Sequence, residues 1–280
     1  VPVGPDAEGI AVDPTTGVVA VGDARGAVVL DESGQVRAPV TLAAGPRHIA
    51  LAADGGPFVI PAEGAGQVGL VSETGRVTAL IRVGMWPHDV ATVAGRIYVG
   101  NERSDTISVL ARGRVVTTVP VVAQPGGLAA IGSDVAVVGV RARRLELIDT
   151  TTLRPVAVVP AETGPSHVAA LGGRLYVVDT GGSHLLVYDI RPRLHQVAVI
   201  ALPLSPLGIA VDTHRGRLWV TCTGTNSLIE LDARPVTPRV VAMFPTVRQP
   251  DSVAVDPDAD VVLVVGQREG VLQIVHPDPG

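Results

Sequence analysis

Apolar and polar positions change places in short bursts along this chain, and the bursts recur. Runs such as VVAV (18–21), FVI (58–60), IYV (97–99), VAVV (135–138), LYVV (175–178), LWV (218–220) and VLVV (262–265) are brief and β-branched, which predicts buried strands. No stretch sustains the 3.6-residue apolar stripe of a helix. One segment returns seven times: GPDAEGIAV (4–12), GPRHIAL (45–51), MWPHDVA (85–91), QPGGLAA (124–130), GPSHVAA (164–170), SPLGIAV (205–211) and QPDSVAV (249–255). The apolar residue before the shared Ala fixes the register. These anchors are Ile10, Ile49, Val90, Leu128, Val168, Ile209 and Val253, spaced 39, 41, 38, 40, 41 and 44 apart.

A period near forty residues belongs to repeat architectures, and the strand-only pattern excludes the helical ones. Each unit resolves into four strands. The fifth reads HVAAL (167–171), a Gly172–Gly173 turn, RLYVVD (174–179), a TGGS loop, HLLVYD (184–189) and QVAVIAL (196–202). The expected fold is all-β: a seven-bladed β-propeller of four-stranded antiparallel blades, one domain over 1–280. The last unit stops at VLQIV (271–275) after three strands, while VPVG at the start matches IRVG (81–84), which precedes the third anchor segment. The N-terminal strand is therefore expected to complete the last blade and close the ring, removing a free edge.

Composition narrows the partners. Ala and Val fill the interior, with two Phe, two Trp and three Tyr, so stacking platforms for bases or sugars are scarce. A net charge of −5, with every one of the 22 basic residues an Arg, argues against binding to a nucleic-acid backbone. Cys222 stands alone, which rules out an internal disulfide and reads as a small buried residue. No apolar run is long enough for a membrane span. The chain starts at Val1 without Met, which is read as a processed product, and a monomer is expected.

The Tyr-Val-Thr-Asn pattern appears in altered form as IYVGN (97–101), LYVVD (175–179) and LWVT (218–221), each followed by a strand such as TISVL (106–110) or SLIELD (227–232). On these motifs, and on the recurring Gly-x-x-Pro lead-in to each blade, the whole chain resembles the YVTN-type β-propeller repeat family. The resemblance implies a cell-surface or periplasmic protein, secreted or exported. Related propellers include sugar lactonases, metal-dependent lyases and copper-bearing domains.

In such a ring the loops leading into the innermost strands and the loops joining second and third strands share one face. Candidate ligand-binding residues there are Glu8, Arg47, His48, His88, Asp89, Asn101, Glu102, Arg141, His167 and Asp251. Three of the seven His lie in the anchor segments, and imidazole both binds metal and titrates near neutral pH, so His48, His88 and His167 are the candidate ligands of a divalent metal. His88 stands one register position earlier than the other two, so convergence is not guaranteed, and the competing reading has these rings hydrogen-bonding neighbouring loops. No cofactor is otherwise expected. GAGQVG (64–69) matches a dinucleotide fingerprint but runs into a strand rather than a helix, and DPDAD (256–260) lacks the Gly and Glu of a calcium loop.

Two functions follow. The first expectation is a non-enzymatic binding scaffold that presents the loop face to a protein, peptide or small ligand. The alternative is a metal-assisted lyase or hydrolase, lactonase-like, with Glu8 or Asp251 moving the proton.

Overall fold

The computed structural model describes residues 1–277. Apart from one 3-10 turn at Glu63–Ala65, its regular elements are strands. They form seven antiparallel sheets, each with its strands in sequence order from the channel outward. The innermost strands, among them Ile10–Val12, Pro87–Val93, Pro165–Leu171 and Pro250–Asp256, neighbour one another around the ring, and the first touches the last. This is a seven-bladed β-propeller.

The shared Ala has a packing reason. It faces a residue of the second strand across the ladder: Ala91 opposite Tyr98, Ala169 opposite Tyr176, Ala210 opposite Trp219. A small residue on the narrow inner strand leaves room for the large one beside it, and all three rings are at most 2% exposed. Blades 1 and 4 carry Ala on both sides, as Ala11–Ala20 and Ala129–Ala136.

No single core holds the molecule. The buried apolar residues divide into seven clusters, each spanning two adjacent blades. Burial falls off outward: second and third strands are buried along their length, while outer strands such as Arg114–Pro120 alternate between half-buried and exposed residues.

The ring closes as the sequence predicts. Pro2 bridges Val271, the Val3 amide donates to the Gly270 carbonyl at 2.8 Å, and the Leu272 amide donates to the Val1 carbonyl at 2.8 Å. Residues 1–3 thus lie along Val271–Val275 as the outermost strand of the seventh blade.

Candidate functional site at the channel mouth

In blades 3 to 7 the pairing of inner and second strands slips by one residue just before the anchor, as between Val99 and Asn101 or between Pro165 and His167. A regular strand would send successive side chains to opposite faces. The bulge re-aims one of them, so two consecutive positions can project towards the channel.

Counting back from the anchors therefore gives two stacked rings. The upper ring, two residues before each anchor, is Glu8, Arg47, His88, Gly126, Ser166, Leu207 and Asp251. The lower ring, one residue before, is Gly9, His48, Asp89, Gly127, His167, Gly208 and Ser252. Upper-ring residues line a basin of about 180 Å³ open at the mouth. Beneath it a second cavity of about 170 Å³ is lined by five residues of the lower ring, His48, Asp89, His167, Gly208 and Ser252, and by six of the seven anchors. His48 and His167 line both and form the partition between them.

Glycine makes this partition fit. A Cβ on Gly127 would stand 2.8 Å from both the Cα of His167 and the carbonyl oxygen of Ser166, and one on Gly208 would meet the Asp251 carbonyl at 2.6 Å. Side chains are thus excluded from part of the lower ring, and the two imidazoles reach across the space left. Their Nε2 atoms are 2.9 Å apart, and Nδ1 of His167 lies 2.8 Å from the Leu207 carbonyl. A carbonyl only accepts, so His167 carries its proton on Nδ1, and its Nε2 accepts from Nε2–H of His48. Each keeps some accessible surface, but that surface faces the enclosed channel. Burial pushes both below the ordinary histidine range, His167 to about 4, with neighbouring positive charge acting in the same direction.

His88 behaves oppositely. Burial alone would lower it, but its Nδ1 is 2.6 Å from Oε1 of Glu63 and 3.8 Å from Glu102, and with Asp89 these carboxylates raise it. Glu63 and Glu102 occupy the same repeat position, directly after the second strand, in adjacent blades. The ring centroids of His48 lie 4.8 Å from His88 and 4.6 Å from His167. The three rings do meet, although their register differs.

Carboxyl groups crowd the rest of the mouth. Burial, then the nearby charge of Asp251, raises Glu8 to about 7, with Arg47 opposing. Burial also raises Asp251, and raises Asp89 to about 6 even though Asp89 accepts from the amides of Val90 and Leu128 at 2.7 Å each. Arg47 reaches 3.6 Å from both Glu8 and Glu63, and Gln267 donates to Glu8.

Two of the candidate ligand-binding residues stand outside the mouth basin. Asn101 is fully buried: its Oδ1 accepts from the Gly84 amide at 3.0 Å, and its Nδ2 faces Thr106 and Ser108. Asp179 does the same work in blade 5, taking the Gly164 amide at 2.6 Å. The last position of the YVTN-like motif thus ties the lead-in loop to the second strand and offers nothing to a ligand. Arg141 lies out on the rim, paired with Asp105 at 2.7 Å. Glu63, by contrast, was not among the expected binding residues. The 3-10 turn folds it inward, and the sequence signal was its match in position to Glu102.

Cys222 is buried in its strand, and that burial pushes its thiol up to about 12, which keeps it protonated at neutral pH.

A scan against family models and a search of curated proteins returned no match. Among solved structures the chain is similar to hydrazine synthase of Kuenenia stuttgartiensis, with 17% identity, a TM-score of 0.88, and 99% of this chain and 97% of that one covered. It is also similar to a chain of the Mitotic Checkpoint Complex (16%, TM-score 0.82, 97% and 90% covered). A third is the Cps50 (Swd1) β-propeller domain of Myceliophteria thermophila (13%, TM-score 0.82, 96% of each covered). At these identities the likeness is one of fold, and what the three share with this chain is the β-propeller.

Proposed function

We propose that this chain is a binding propeller of the YVTN type, acting outside the cytoplasm, which docks a protein, peptide or small ligand on its loop face and takes one polar group of it into the channel mouth. The observation that carries the reading is the mouth itself: a basin of about 180 Å³, open above, closed below by the His48–His167 pair, with Glu102, Ser166 and Asp251 on its walls. That volume suits one side chain or a small polar molecule. One structural neighbour comes from a Mitotic Checkpoint Complex, a setting in which a propeller is part of a protein assembly.

A thermal-shift screen of small amines, carboxylates and short peptides tests this. Ligands that stabilise the protein should lose their effect in Asp251→Asn and Glu102→Gln but keep it in Glu32→Gln, which lies on the opposite face. Ligands indifferent to both mouth substitutions would contradict the reading.

A further inference from the structure

We propose that His48, His88 and His167 form a binding site for one divalent transition-metal ion of the zinc class on the floor of the mouth, with the open side of the basin as its remaining coordination position. The three come from blades 2, 3 and 5, and one ring nitrogen of each lies within 4.8 Å of the others.

The outer hydrogen bonds of His88 and His167 match what a metal-ligating imidazole needs. Such a ring usually donates its other N–H to a carboxylate or carbonyl, which fixes the tautomer and frees the ligating nitrogen. Nδ1 of His88 is held by Glu63 at 2.6 Å and Nδ1 of His167 by the Leu207 carbonyl at 2.8 Å. That leaves Nε2 as the ligating nitrogen of both, the one on His167 at present taking the Nε2–H of His48. Two imidazole nitrogens bound tetrahedrally to one zinc at about 2.0–2.1 Å stand about 3.3–3.4 Å apart. Nε2 of His48 and Nε2 of His167, now 2.9 Å apart in a hydrogen bond, need separate by only a few tenths of an ångström, about 0.4 Å, to reach that spacing. On binding, the Nε2 proton of His48 moves to its own Nδ1, so this ring stays neutral and its Nε2 lone pair turns to the ion.

The donor set selects the ion. Three imidazoles suit zinc, cobalt, nickel or copper, whereas magnesium and calcium take oxygen ligands. A second grouping, Glu63, His88 and Glu102, shares His88 and would favour those harder ions. It is the weaker candidate, because its donors are already engaged with each other: Glu63 pairs with the Arg47 guanidinium at 3.6 Å and with Nδ1 of His88 at 2.6 Å. Three nitrogen ligands and an open fourth place are the arrangement in which zinc keeps an exchangeable water or takes a ligand group. Metal uptake is read without any partner, so this inference stands or falls independently of the docking reading.

The test uses the full chain, stripped with chelator and titrated with Zn²⁺ and then Co²⁺. One equivalent should bind, and the cobalt spectrum should show nitrogen ligation at low coordination number, which reads the ligand set with no substitution made. His48→Gln, His88→Gln and His167→Gln should each weaken zinc at least 100-fold, and Glu63→Gln about 10- to 100-fold, while His184→Gln on the rim leaves it unchanged. Circular dichroism checks that each variant is folded. The proposal is overturned if the parent chain takes up neither ion stoichiometrically, or if folded His48→Gln and His167→Gln bind as the parent does while Glu63→Gln and Glu102→Gln do not.

Discussion

Glu8 shows how the mouth sets residues against their solvent preferences. Burial and Asp251 raise its folded pKa to about 7 from an ordinary 4.5. The folded state then binds more protons than the unfolded one between these values, so stability falls as pH rises from 4.5 through 7. Glu8→Gln should therefore be more stable than the parent by about 1 kcal/mol or more at pH 8, and no different near pH 4, where both side chains are neutral. Urea unfolding at the two pH values checks this, and equal stability at pH 8 would show that the carboxylate is not strained. His167 has the opposite sign: its folded pKa of about 4 lies below the ordinary 6.5, so its contribution is present above 6.5 and lost as pH falls towards 4. At this scale the sequence was partly legible. Histidines concentrated in a repeating lead-in segment pointed to the mouth. Asn101 did not reveal its inward role, because residue type alone does not say whether an amide serves a loop or a ligand.

The inner strand and its bulge are the element that builds the site. Repeat period and anchor register could be read from the chain, and they placed the two mouth positions ahead of each anchor. The convergence of His88 with His48 and His167 could not, since strict alternation would send adjacent positions to opposite faces; a bulge re-aims the side chains of blades 3 and 5, and in blade 2 the inner strand Ala50–Leu51 starts only after His48. Glu63 was obscured in a similar way by a 3-10 turn of three residues, too short to leave a periodic pattern. The close approach of inner strands leads to a packing prediction. Gly127→Ala should cost about 1–3 kcal/mol, because its Cβ meets backbone at 2.8 Å, while Gly64→Ala, whose nearest contact is 3.6 Å away, should cost little. Chemical denaturation of both variants decides the point, and equal stabilities would mean that the lower ring has room to spare.

Seven inter-blade clusters, rather than one core, make the whole molecule depend on an unbroken ring. Residues 1–3 supply the outer strand of the seventh blade, and Val3 is buried in the cluster between blades 7 and 1. Deleting Val1–Val3 should lower the melting temperature by about 5 °C or more, as followed by calorimetry, and an unchanged value would count against this closure. The ring in turn fixes the mouth, since residues 119 positions apart in sequence meet there. Whether the repeat delivers its chemistry to this one point can be read from anomalous diffraction of crystals grown with zinc. A single strong peak bonded to His48, His88 and His167 at the channel mouth is expected. A mouth without a peak, with zinc on surface histidines such as His184 or His195 instead, would contradict it.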